Sequence, residues 1–129
     1  MTPQTALAAS LLAFVYIALA LRIIALRWKT RTGIGDGGHA TLARAIRVHG
    51  NFSEYVPLGL ILLFLLEQSG AQPGWVGPLC GALVLGRLLH AFGLSRSAGA
   101  SAPRFVGMVL TFTALVVPAG LLLRGAAAG

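Results

Sequence analysis

The sequence predicts an all-α integral membrane protein, a single bundle of four transmembrane helices. Three observations carry that expectation. Hydrophobic residues make up 57% of the 129-residue chain and charged residues only 10%, against about 25% charged in ordinary soluble domains. The apolar residues gather into four runs, each close to the ~20 residues a helix needs to cross ~30 Å of hydrocarbon. Between the runs lie short stretches rich in Gly, Ser and basic residues. A chain this short has room for one domain, residues 1–129, and a water-soluble fold of that size cannot hide so much apolar surface.

The first span is expected over residues 5–27. Its first positive side chain, Arg22, follows the apolar run rather than preceding it. That order is the reverse of a signal peptide, so the segment reads as a retained span. The second is expected over residues 43–67 and is unusual, because Arg44, Arg47, His49, Asn51 and Glu54 interrupt its first half. The third, residues 75–95, carries Gly77-x-x-x-Gly81 and Ala82-x-x-x-Gly86, small residues that let helix backbones approach closely. The fourth, residues 104–123, follows a Ser- and Gly-containing loop and opens just after Pro103, which suits a helix start. Pro118 within it predicts a kink or a local adjustment.

Charge sets the orientation. Ten Lys and Arg face three acids, Asp36, Glu54 and Glu67, for a formal net charge of +7. The bases frame the first connection (residues 29–41) and the third (residues 96–103), whereas the second (residues 68–74) has none. By the positive-inside rule the first and third connections face the cytoplasm and both termini face away from it. No basic run interleaved with aromatics suggests a nucleic-acid surface. The lone Cys80 excludes an internal disulfide and a cysteine metal cluster, and no metal site is expected.

The informative stretch is the start of the second helix. After Glu54, only Tyr55 to Leu66 run uninterrupted and apolar, roughly 18 Å of helix against a ~30 Å core. The polar residues before that run are therefore expected at or near membrane depth. At about 100° per residue, with Arg47 at zero, Asn51 falls near 40°, Glu54 near −20°, Arg44 near 60° and Tyr55 near 80°. His49 falls near 200°, on the far side. One face thus carries two cations, an amide, a carboxylate and a phenol. A carboxylate turned to lipid costs on the order of 3 kcal/mol, so this face must look into protein or a wet cavity. Arg47 and Glu54 stand two turns apart, so they could share a partner but would not form the usual i, i+4 pair. The pattern fits either a network that glues helices together or a ligand site. Arg22 and Arg96 read as snorkelling anchors.

The motif Arg47-x-x-x-Asn51-x-x-Glu54-Tyr55-x-Pro57 resembles the signature of the membrane-associated proteins of eicosanoid and glutathione metabolism, the MAPEG family. The resemblance extends over the whole chain in length, four-span layout and topology. It implies a homotrimer of four-helix bundles, with glutathione as co-substrate held between subunits near the cytoplasmic face of a bacterial inner membrane. On this resemblance Arg27, Arg47, Asn51, Glu54, Tyr55 and Arg87 would hold the tripeptide, and Arg104 would stabilise its thiolate. Arg and Glu contacts together suit a ligand with two carboxylates and one ammonium. The sequence departs from the family at His90 and Leu94, where members with eicosanoid activity carry tyrosines.

Three functions are weighed on these residues. The first is a membrane glutathione transferase or peroxidase, in which cationic surroundings produce a nucleophilic thiolate that attacks hydrophobic electrophiles arriving from the bilayer. The second is a non-catalytic trimer that binds lipid or a partner protein. A small transporter fits less well, since transporters favour sites near the midplane on broken helices, and the polar residues here crowd one end.

Overall fold

The computed structural model describes residues 3–97 and 99–129 and contains four helices: α1 (Gln4–Thr30), α2 (Ala40–Ser69), α3 (Pro73–Arg96) and α4 (Ala102–Ala128). All four are long and apolar enough to cross a membrane. Each extends the run read from hydropathy at one or both ends, because caps and polar end residues continue the helix beyond the hydrocarbon core. α1 stops at Arg31, whose φ of 53° places a non-glycine residue in the left-handed region. α2 stops at Gly70 with φ 63°, a conformation glycine adopts without penalty. α3 and α4 both begin with Pro in the first turn, where the missing N–H is no loss. The helix continues through Pro57, Pro78 and Pro118.

Among the described residues α1 comes close to α2 and α3 but not to α4, while α2 and α3 also meet each other. α2 and α3 therefore form the diagonal of the bundle, with α1 on one side and α4 on the other. α3 and α4 make the tightest seam. A methyl placed on Gly107 would lie 2.6 Å from both the Gly86 carbonyl oxygen and the His90 amide nitrogen. Gly86 of the Ala82-x-x-x-Gly86 pair thus packs as the small-residue spacing predicts. Gly81 of the other pair faces open space, with nothing within 4 Å of an added methyl.

The end of the bundle away from the basic loops is fastened by Glu67. One of its carboxylate oxygens accepts the Gln4 N–H at 2.7 Å and the other the Thr5 N–H at 3.2 Å. An anion there also suits the positive end of the α1 dipole. At the opposite end, Arg22 donates to Ser95 Oγ at 2.9 Å, tying α1 to α3. The snorkelling role expected for Arg22 is corrected by that bond: its guanidinium finds a partner inside the protein. Arg96 lies over the Phe92 ring, 5.3 Å from its centroid.

Candidate functional site

The polar face of α2 divides into two groups. Asn51 and Tyr55 turn towards α3 and α4, and there they meet Arg87. Its side chain is 1% exposed. One guanidinium nitrogen donates to Asn51 Oδ1. The other donates to Thr111 Oγ1 at 3.3 Å and lies 3.7 Å from Met108 Sδ. The guanidinium carbon stands 5.7 Å from the centre of the Tyr55 ring, which packs edge-on against Phe112 at 5.7 Å. His90 Nδ1 is 3.3 Å from the same guanidinium. Since an arginine offers no acceptor, that nitrogen presents its lone pair and the ring proton sits on Nε2. One guanidinium therefore joins α2, α3 and α4.

Arg47 and Glu54 turn the other way. Arg47 Nη2 donates to Glu54 Oε2 at 2.8 Å, and both side chains are 53% exposed on the flank of the single chain. The pair is not the usual i, i+4 one, yet the two side chains meet directly. Two turns of helix advance about 10.5 Å, and two long side chains leaning towards each other close that distance. The sector that holds five side chains on a helical wheel has an inner edge, at Asn51 and Tyr55, and an outer one, at Arg47 and Glu54. His49 is on the far side, its ring 4.8 Å from that of Tyr16 on α1.

The two remaining arginines of the expected site stand at helix ends beside the basic loops, Arg27 in the last turn of α1 and Arg104 in the first turn of α4. Arg27 Nη1 donates to the carbonyls of Thr32 at 3.3 Å and Gly35 at 2.8 Å, folding the first connection back over the end of α1. Arg104 opens α4, where Ser101 Oγ accepts its backbone N–H at 3.4 Å, and its Nη1 donates to Gly99 O at 3.2 Å. Its backbone sits against Gly93, so that α3 and α4 also touch at this end. The structure thus brings Asn51, Tyr55 and Arg87 into one cluster and Arg47 and Glu54 into another, and sets Arg27 and Arg104 on loop carbonyls. Among the described residues no group of His, Cys, Asp and Glu is placed to hold a metal ion.

Thr111, Met108 and His90 were not singled out as partners of Arg87. A signal for the buried stripe exists in α3: Val76, Leu79, Leu83, Gly86, His90 and Gly93 recur at spacings of three and four, and all are buried. Arg87 falls next to that stripe. Nothing of the kind marks Thr111 within the apolar fourth span.

The sequence matches the family model of the MAPEG family over residues 5–124. The chain belongs to the MAPEG family. It is also similar to the inner membrane protein YecN of Escherichia coli strain K12, with 39% identity over 90 residues that cover 69% of this chain and 68% of YecN. YecN of E. coli O6:H1 matches with the same figures. YecN's name places that relative in the inner membrane and assigns it no reaction. This MAPEG member is accordingly a multi-pass membrane protein of a glutathione-related family, and the layout of its four helices agrees with that assignment.

Proposed function

We propose that the protein is a membrane-bound glutathione transferase or peroxidase of a bacterial inner membrane, assembled as a homotrimer with glutathione bound between subunits near the cytoplasmic face. The observation that carries this reading is the Arg47–Glu54 pair, half-exposed on the flank of α2. Glu54 lies about 20 Å of helix from Glu67, which marks the far end of the bundle, and so falls within a ~30 Å hydrocarbon core. An ion pair at that depth needs protein or water beside it. A neighbouring copy supplies the protein, and a zwitterionic peptide with two carboxylates and an ammonium matches both charges of the pair.

In this reading Arg47 takes a glutathione carboxylate and Glu54 its ammonium, with Asn51 and Tyr55 lining the inner side. Arg87 holds Asn51 and Tyr55 from behind. Arg104 stabilises the thiolate. The thiol gives its proton to solvent; the thiolate sulfur then forms a bond to the electrophilic carbon while the leaving group departs with its electron pair. With a hydroperoxide, two glutathione molecules are oxidised to the disulfide as the hydroperoxide is reduced to alcohol and water. Arg27 belongs to the expected glutathione set only through the family resemblance, and its bonds to Thr32 and Gly35 support a loop-fastening role instead.

Titration calorimetry of the detergent-purified protein with glutathione tests the reading. Saturable binding in the parent that is lost in Arg47→Ala is the expected result. Absence of binding in a parent that is folded and trimeric favours the second reading, a non-catalytic trimer that binds lipid or a partner protein. One observation speaks for that second reading: both terminal guanidinium nitrogens of Arg87 have partners inside the bundle, on Thr111 and Asn51.

A further inference from the structure

The first helix carries a second feature that the glutathione reading leaves unused. At its loop end, Ile24, Arg27, Trp28, Arg31, Thr32 and Gly33 line an open surface pocket of about 690 Å³. Towards the middle of the bundle, α1 and α2 bound an apolar groove of about 430 Å³, walled on the α1 side by Ala9, Leu12, Ala13, Tyr16 and Ile17. At about 100° per residue, Ala9, Ala13 and Ile17 fall within the same ~80° sector of α1 as Ile24, Arg27 and Arg31. The cationic pocket and the apolar groove thus follow one stripe of the helix.

We propose that this stripe is a binding site for an anionic phospholipid, with the phosphate held by Arg27 and Arg31 and one acyl chain running along α1 to the mouth of the α1–α2 groove at Ile17. Depth supports the assignment. Counted from Gln4 at the Glu67 end, a ~30 Å core is crossed in about 20 residues, which places Arg27, Trp28 and Arg31 at the level of the headgroups. Trp28 is 81% exposed there, where an amphipathic ring belongs. One leaflet holds ~15 Å of hydrocarbon, half of the core. A chain anchored at Arg27 therefore reaches about ten residues along α1, to Ile17 at the mouth of the groove.

The pocket is shaped for a cation-rich task. Arg27 uses Nη1 to hold the loop carbonyls of Thr32 and Gly35, which fixes the loop as one wall. The remaining guanidinium nitrogens keep N–H donors suited to a phosphate. Arg31 is the sole non-glycine residue with positive φ among the described residues, held in a conformation that L-residues avoid. The negative end of the α1 dipole opposes an anion at this place with about half a charge. Two full positive charges, with Lys29 nearby, outweigh it.

Native mass spectrometry on protein released from nanodiscs of phosphatidylglycerol or of phosphatidylcholine with identical chains tests the proposal. The parent is expected to retain phosphatidylglycerol at least about fivefold better, the effect of roughly one basic residue at a membrane surface. Arg31→Asn, which tolerates positive φ and removes the charge, is expected to abolish that preference. Ile17→Asn, which puts a polar amide where the chain ends at the mouth of the groove, is expected to reduce retention of both lipids. Both variants are checked for unchanged melting. Equal retention of the two lipids by the parent, or an undiminished preference in Arg31→Asn, overturns the phosphate site. Unchanged retention in Ile17→Asn overturns the acyl-chain path. Displacement of the lipid by a large excess of inorganic phosphate overturns the lipid assignment and leaves a site for free anions. None of these readings uses glutathione, so the result stands apart from the proposed activity.

Discussion

Arg47 and Glu54 pair at 2.8 Å across two full turns of one helix, and the pair lies on the outside of the chain that makes it. In water such a half-exposed bridge contributes about 0–1 kcal/mol. At a subunit interface of the proposed trimer the same pair would be desolvated, and loss of one partner would cost about 3–5 kcal/mol. Glu54→Gln keeps the shape and removes the charge. It is expected to lower the stability of the trimer markedly in native mass spectrometry of mild-detergent samples. A parent that remains monomeric under those conditions refutes the assembly.

Arg104 is expected to lower the thiol pKa of bound glutathione by about one to three units, as opposite charges in contact generally do. The thiolate absorbance of the bound tripeptide near neutral pH should therefore fall in Arg104→Ala while its affinity stays within a few fold. Absorbance and conjugation rate that match the parent remove Arg104 from the mechanism and move the role to Arg87 or to no arginine at all.

Replacing Arg87 by Lys preserves the charge but not the fork. A single ammonium cannot reach Asn51 and Thr111 in the same geometry. Each hydrogen bond from a charged group is worth about 1.5–3 kcal/mol, so Arg87→Lys is expected to lower the midpoint of thermal unfolding in detergent by several degrees or more. Glutathione binding should weaken with it, through displacement of Asn51 and Tyr55. A variant as stable as the parent contradicts the keystone role of the guanidinium.

The α3–α4 seam makes a sharper contrast. In Gly107→Ala the new methyl meets two backbone atoms that cannot move aside, and overpacking of that kind typically costs about 1–3 kcal/mol. Gly81→Ala enters open space and gains up to about 1 kcal/mol from helix propensity. Opposite shifts in melting temperature are expected. Destabilisation at Gly81 instead locates a subunit contact on that face of α3.

Orientation follows from the basic residues that frame the first and third connections. Single cysteines introduced in residues 68–74, in a background with Cys80 replaced, should react with an impermeant thiol reagent added to intact cells. Labelling only after the cytoplasm is opened reverses the proposed topology.

The four spans were legible because hydropathy records the solvent that a segment meets, and the lipid here is a strong signal. The polar face of α2 was legible for the same reason: Glu54 stands out against an apolar run. The partition of that face was not. A helical wheel gives the angle of Asn51 and Glu54 but not where the neighbouring helices sit, and the boundary between inside and outside falls between two angles only about 60° apart. The inward turn of Arg87 was not legible for a different reason. An arginine eight residues before the Ser95 end of its span looks the same in sequence whether it snorkels to the interface or turns inward, and the choice depends on Thr111 and Asn51, which lie on other helices.

A guanidinium shared by three helices also has a consequence for biogenesis. When α3 leaves the ribosome and moves sideways into lipid alone, Arg87 is exposed to hydrocarbon at a cost on the order of 3 kcal/mol. Asn51 of α2 relieves part of that as soon as the two helices touch, but Thr111 and Met108 arrive only with α4. The expected order of insertion is therefore α3 together with α4, as a hairpin joined at the Gly86–Gly107 seam.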